Sequence, residues 1–422
     1  MTLNLCISIP CSPLPTHDFR LTTYDLRLTT YDLRIFRNFL YKLQTMANQL
    51  HRRDWLKQSA LAALGLSFSA HSLGGEDYLP RELGLETGLL NLGSNENPYG
   101  LAPGAKQAIS ELINTANRYY YNVPAVQSFK QDLANEYGVT TDHLLITAGS
   151  GEALNLLARH FSKGNLVAGN PTFGVLPNTA KKIGVEVREI LLDGGKVHDL
   201  QAMAKAIDAK TAHVYICNPA NPTGTILKPA ALKAFCEEAS KTAVVTVDEA
   251  YIDFLDAPDN ESMIGLVKKG NKNIVVVRTF SKIHAMAGMR VGFIIADPET
   301  IKALSANHFG SSNFCVGALS MHAAMASLKD PGHRESCKQK NAAAREYTHK
   351  SLQALGFQPI PSYTNFMFFP LKNYAGDFAK DMLEKNIVLR SSILPDGKWC
   401  RVSIGTMEEM QSFMKVMQSV KA

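Results

Sequence analysis

Three things are scarce in this chain, and each scarcity excludes a class of protein. Paired cysteines are the first. The 7 cysteines contain no CxxC pair: Cys6 and Cys11 lie near the N-terminus, while Cys217, Cys236, Cys315, Cys337 and Cys400 are scattered in mostly apolar surroundings. They read as buried packing thiols, which sets aside both a zinc finger and a disulfide-stapled scaffold, and no metal site is expected. Charge of one sign is the second. The formal net charge is +6, but residues 1–70 hold 8 Lys+Arg against 4 Asp+Glu, which leaves 36 against 34 for the rest. So even a balance gives no electrostatic footprint for nucleic acid. Long apolar runs are the third. The stretch 59–70 is twelve residues long, well short of the roughly twenty a membrane helix needs, so no stable membrane association is expected.

What is present is enough for a large enzyme. A chain of 422 residues, 45% hydrophobic and 19% charged, can bury an extensive core and form two domains. Residues 20–34 carry a direct repeat of Arg-Leu-Thr-Thr-Tyr-Asp-Leu that no folded domain requires. The expectation is that 1–45 is unstructured or lies ahead of the true start, with translation from Met46. After Met46 come Arg52-Arg53-Asp-Trp-Leu-Lys57, the apolar stretch and Ser67-Phe-Ser69, an arrangement that resembles a twin-arginine export signal over 46–70 and predicts a periplasmic protein. A cytoplasmic amphipathic helix with an incidental Arg-Arg pair is the competing reading.

From about Leu89 onward, short β-branched runs alternate with stretches of helical character. Strands are predicted at 144–147, 166–168, 186–191, 213–217, 244–247, 274–279 and 291–295, the α/β pattern of a mostly parallel seven-stranded sheet flanked by helices. Past Asp297 the pattern changes to helices at 299–308, 314–328 and 333–355, strands near 365–369 and 401–404, and a last helix at 407–420, a smaller α+β domain. The expected division is an N-terminal arm with part of the small domain at 71–124, a large cofactor-binding domain at 125–300, and the rest of the small domain at 301–422. No Gly/Ser-rich linker separates the two, so they should pack closely.

Four loop motifs fall at predicted strand ends, where open α/β sheets bind ligands. Thr147-Ala-Gly149-Ser150-Gly151-Glu152 turns into a helix whose free N–H groups suit a phosphate, although glycine also serves turn geometry alone. Asn218-Pro-Ala-Asn221-Pro-Thr-Gly224 fixes a turn and holds Asn221 rigidly. Asp248-Glu-Ala-Tyr251 delivers a carboxylate at the end of a buried strand, which implies a cationic partner. In Thr279-Phe-Ser281-Lys282 through Arg290, the lysine amine suits Schiff-base chemistry and the arginine suits an anion. A lysine beside that arginine should have a lowered pKa. Lys282 with Asp248 reads as a site for pyridoxal 5′-phosphate, in which a carboxylate on the pyridine nitrogen keeps the ring an electron sink.

From about Leu92 to the C-terminus the chain resembles the fold-type I pyridoxal-phosphate aminotransferases, and among them the histidinol-phosphate aminotransferases. The resemblance is carried by Asn95-Glu-Asn97-Pro-Tyr-Gly100, Arg118-Tyr119, Gly149-Ser-Gly-Glu152, Pro171-Thr-Phe173, the Asn218, Asp248 and Lys282 motifs, Asn365-Phe366 and Arg401-Val-Ser-Ile-Gly-Thr406. It implies that Lys282 binds the cofactor covalently and moves protons, that Asp248 pairs with the pyridine nitrogen, and that Asn221 and Tyr251 contact the 3′ oxygen. Phe173 would stack on the ring. Ser150, Gly151, Ser281 and Arg290 would hold the phosphate, with Tyr119 reaching it from a partner subunit in a homodimer with shared sites. Asn97 and Arg401 would bind substrate, and Arg390 is either a second anion-binding arginine or a strand-end surface charge. The implied reaction moves an amino group from an amino acid or a histidinol-phosphate-like donor to a 2-oxo acid by a ping-pong route. A decarboxylase or lyase resembling threonine-phosphate decarboxylase is the rival, and a non-catalytic binding protein a third reading. After Lys282 the family usually has a small and then an aromatic residue; Ile283 and His284 stand here, and His284 is read as a packing group.

Overall fold

The computed structural model describes residues 88–117, 123–308, 316–372 and 374–420. The expectations for the leader, the export signal, Tyr119 and Cys315 therefore lie outside the described residues.

Among the described residues there are twelve strands: β1 (Leu90–Asn91), β2 (Leu144–Thr147), β3 (Asn165–Asn170), β4 (Val187–Leu191), β5 (Thr211–Cys217), β6 (Val244–Asp248), β7 (Ile274–Thr279), β8 (Gly292–Ile295), β9 (Phe366–Pro370), β10 (Ile387–Val388), β11 (Arg390–Leu394) and β12 (Gly397–Ser403). Seven of them make one sheet in the order β2-β8-β7-β6-β5-β3-β4. Only β8 runs antiparallel to its neighbours, β2 and β7, which agrees with the mostly parallel sheet expected from the sequence. The central strands β6 and β7 are rich in β-branched residues because both faces are covered. Along β5, Val214 and Ile216 enter the core on one face while Tyr215 and Cys217 enter the core on the other. The first face packs on the helices Val123–Tyr137 and Pro229–Ala239 through Phe129, Leu133, Leu232 and Phe235, the second on Gly149–His160 through Leu154 and Leu157.

Chain order reverses between β3 and β5, the kind of switch point at whose C-terminal strand ends open α/β sheets bind ligands. A separate core forms around the antiparallel sheet β11-β12-β9, the helices Pro331–Ala354 and Met407–Met417, and the parallel pair β1–β10. Thr406 and Glu409 cap the last helix reciprocally. That helix ends at Met417 rather than 420, and β8 begins at Gly292 rather than 291. The strand β11 was not expected at all. Four cysteines, Cys217, Cys236, Cys337 and Cys400, are free and buried, and burial pushes each thiol up.

Candidate active site

β6 ends in Asp248, which is 1% exposed. Its Oδ2 accepts from the Tyr215 hydroxyl at 3.1 Å and its Oδ1 from the Ala250 N–H at 3.1 Å. Burial, opposed by these two hydrogen bonds, lifts its carboxyl up to about 6. The strand end is held from behind by Arg278 of β7, which donates to Glu249 at 2.8 Å, to Asp253 at 3.3 Å and to Ser262 at 3.2 Å.

Lys282 follows β7. Its Nζ donates to the carbonyl of Asn95 at 3.0 Å and stands 5.4 Å from the centre of the Tyr251 ring. The ammonium is destabilised, down to about 8, first by burial and next by the Arg401 guanidinium; Arg290 contributes least of the named causes. The expected direction holds, but its source differs. The cation that matters most comes from β12, while Arg290 points its guanidinium toward the glycine turn.

That turn lies at the start of the helix Gly149–His160, where Gly149 has φ +78° and no side chain caps the first N–H groups. A methyl group on Gly149 would sit 2.3 Å from the Arg290 guanidinium, and one on Gly292 2.5 Å from the backbone of Gly149 and Ser150. Glycine is required at both for the turn to lie against β8 and the arginine. Arg290 Nη1 is 3.5 Å from the Ser281 hydroxyl. Gly151 would meet nothing within 4 Å if it carried a Cβ. Uncapped N–H groups, a hydroxyl and a guanidinium thus converge on open space, the donor set of a phosphate cradle.

Asn221 and Tyr251 are buried and joined, Asn221 Nδ2 donating to the Tyr251 hydroxyl at 3.1 Å. Asn221 Oδ1 accepts from Arg401 Nη1 at 2.7 Å, and Arg401 Nη2 donates to the Gly93 carbonyl at 2.8 Å. Phe173, just past β3, is half-buried against the second face of the sheet. Arg390 stands directly opposite Arg401 in the β11–β12 ladder, so both side chains leave the same face of that sheet. Asn97 spends its amide on backbone, donating to Ile283 O at 2.9 Å and accepting from Tyr99 N at 3.1 Å, and so braces the lysine segment. His284 is buried, bonded to the Ser327 hydroxyl at 2.8 Å and packed on Phe280 at 4.4 Å, the packing group it was expected to be.

The residue missed by sequence reasoning is Asn95. It is 1% exposed with φ +53° and touches Lys282, Tyr251, Asn365 and Ser403. An asparagine, a residue enriched at positive φ, ahead of Glu-Asn-Pro is the local signal in the sequence that could have marked it.

The geometry is that of a cofactor-dependent transferase of the α/β class, with a lysine, a buried carboxylate and an anion cradle at one edge of a parallel sheet. The family description "Aminotransferase class I and II" matches residues 87–417. The chain belongs to that family and is a pyridoxal-phosphate-dependent aminotransferase. A histidinol-phosphate aminotransferase of Moorella thermoacetica is 33% identical over 82% of this chain and 89% of its own length. A candidate histidinol-phosphate aminotransferase of known structure from Erwinia carotovora atroseptica is 31% identical, with a TM-score of 0.73 over 78% of this chain and 95% of that one. The structure of histidinol-phosphate aminotransferase from Sinorhizobium meliloti in complex with pyridoxal-5′-phosphate has the same fold, with a TM-score of 0.71 over 79% of this chain and 90% of that one, at 23% identity.

Proposed function

We propose that this aminotransferase takes its amino group from a histidinol-phosphate-like donor, an amine with an anionic phosphate ester close by, and passes it to a 2-oxo acid. One observation carries the reading of the pocket. Asp248 is buried with no arginine or lysine paired to it among the described residues, while the Lys282 ammonium beside it is destabilised. A protonated pyridine nitrogen would supply the missing cation, and a neutral lysine amine is the form that attacks an aldehyde.

Bound pyridoxal phosphate supplies an electron sink for the bond broken at the donor's α-carbon. Lys282 Nζ would hold the cofactor and, as a buried amine that is readily neutral, would take up and return the proton. Asp248 would keep the pyridine nitrogen protonated, Asn221 and Tyr251 would serve the 3′ oxygen, and Phe173 would pack on the ring. Ser150, Gly151, Ser281 and Arg290 would bind the phosphate. Arg401 receives the substrate's anionic group, with Arg390 beside it on the same sheet face. Asn97, by its hydrogen bond to Ile283, keeps the lysine loop in place for substrate. Tyr119 would complete the phosphate site from a second copy of the chain, so the working form is a homodimer with shared sites. Export by the twin-arginine route rests on the Arg52-Arg53 segment alone.

The decisive experiment is to add histidinol phosphate, aromatic amino acids and acidic amino acids separately to the purified holoenzyme and follow the cofactor's absorbance. Conversion to the amine form by histidinol phosphate, reversed by a 2-oxo acid, supports the donor. Release of carbon dioxide without a 2-oxo product would mean decarboxylation, and conversion by aromatic or acidic donors alone would overturn the donor assignment. Lys282→Ala should abolish both conversion and covalent absorbance. Loss of activity when Lys282→Ala and Tyr119→Phe are purified separately, with partial recovery on mixing, tests the shared dimer. Fractionation of cells with and without Arg52 and Arg53 tests export.

A further inference from the structure

The loop carrying Asn95 comes from the N-terminal side of the described chain, yet every polar atom of this residue is engaged at the site. Its backbone N–H donates to Ser403 Oγ at 2.7 Å, and the Ser403 hydroxyl donates back to its Oδ1 at 3.1 Å. Its carbonyl accepts from Lys282 Nζ and from Asn365 Nδ2, each at 3.0 Å. Its own Nδ2 donates to the Tyr251 hydroxyl at 3.1 Å. Tyr251 thereby accepts two N–H bonds, from Asn95 and Asn221. A phenol oxygen has two acceptor positions and one proton. With both acceptor positions filled from known directions, the hydroxyl proton has only the remaining direction to point in.

We propose that Asn95 is a positioning residue for transamination, its carbonyl setting the place of the Lys282 nitrogen and its amide turning the Tyr251 proton toward the cofactor's 3′ oxygen. The inference rests on the cofactor pocket argued above. It goes beyond that reading in making the two groups dependent on one residue, which is itself fixed by Ser403 at the end of β12, two positions beyond Arg401. A Tyr251 hydroxyl aimed by two donors is a better donor to the 3′ oxygen. With cofactor bound, such a donor would favour the ionised form of the 3′ oxygen and so lower the pH at which the bound cofactor titrates.

The test uses two variants of the full chain. Asn95→Gly keeps the carbonyl that Lys282 uses and is at ease at φ +53°, but removes the amide. Asn95→Asp keeps the acceptor for Ser403 and presents Tyr251 with a competing acceptor. Arg401, Asp248, Cys217, Glu96 and Arg290 are the charged and titratable groups facing this pair; Asn95→Gly adds no charge among them, whereas Asn95→Asp adds a carboxylate whose charge raises the midpoint further. In the holoenzyme the pH midpoint of the cofactor's absorbance change should rise by roughly half a unit in Asn95→Gly, the equivalent of one modest hydrogen bond, and by more in Asn95→Asp. kcat should fall about tenfold with KM for the donor little altered. Should Asn95→Gly fail to fold, Asn95→Asp carries the test. Midpoints equal to wild type in the folded variants, with only a lowered melting temperature, would make Asn95 a structural residue and overturn the proposal. A wild-type protein that forms no lysine-bound cofactor band fails at the earlier step, and the two failures are told apart by that control.

Discussion

Replacing Asp248 with asparagine separates what the residue does for the cofactor from what it does to the fold. In the cofactor-free protein the carboxyl is raised from 3.8 to about 6, chiefly by burial. A raised carboxyl means that the folded chain binds a proton which the unfolded chain releases between about pH 4 and 6. Stability therefore rises as pH falls through that window, and the burden is complete above it. The displacement corresponds to about 3 kcal/mol. Asparagine has no charge to bury, but its single carbonyl cannot serve both Tyr215 and Ala250, and the lost acceptor costs about 1 kcal/mol. Stripped of cofactor, Asp248→Asn should thus be more stable than wild type at pH 8 by about 2 kcal/mol, read as a higher denaturation midpoint. By pH 5 about half of the wild-type burden has gone, and the difference should shrink accordingly. Asp253, His198, His213 and His284 are common to both proteins, so their titration cancels in the difference; the interactions of Lys282 and Glu249 with Asp248 do not cancel but are already contained in the net rise of the Asp248 carboxyl. With cofactor present the order should reverse: removing one partner of a buried ion pair costs roughly 3–5 kcal/mol, so the variant should lose cofactor on dialysis and slow its half-reaction at least about a hundredfold. A cofactor-free variant less stable than wild type at pH 8, or a difference that does not change with pH, would refute the reasoning.

Arg278→Met would leave Glu249 and Asp253 without their buried cation and should lower stability by roughly 3–5 kcal/mol in chemical denaturation; a loss under about 1 kcal/mol would mean that Glu249 is already protonated. His284→Ala should lower stability by about 2 kcal/mol without changing the ranking of amino donors, because the ring touches Phe280 and Ser327; an altered ranking would put it in the pocket. His213, which burial holds neutral with its pKa down to about 3, binds its proton in the unfolded chain first. Its contribution to stability is intact above pH 6.5 and is lost as pH falls below that value. The margin of wild type over His213→Gln should therefore narrow on acidification from pH 7 to pH 5, and a margin that stays constant would show the imidazole to be protonated or exposed.

The parts of this enzyme that were legible in its sequence are those whose physical cause is local. The parallel strands could be read because burial on both faces favours β-branched runs, as in Ile274–Val277. The loops could be read because glycine, proline and asparagine mark the turns after them. β11 left no such trace: it has no fully buried residue, and Ile393 is 83% exposed, so its sequence shows no inward face and it exists by pairing with β12. The same distinction runs through the site. Asp248 and Lys282 stand at the ends of the strands that deliver them, whereas the lowered pKa of Lys282 owes more to Arg401 than to Arg290, eight residues away from it in sequence. Arg401 and Ser403 reach the pocket only because the antiparallel core closes against the loop at Gly93–Asn95, and local spacing does not encode a contact made across 308 positions. The chemistry belongs to residues the strands supply. Its tuning belongs to residues brought by tertiary closure, which is why Asn95 rather than a member of the lysine motif is the position where substitution should move the cofactor's titration without removing any group that reacts.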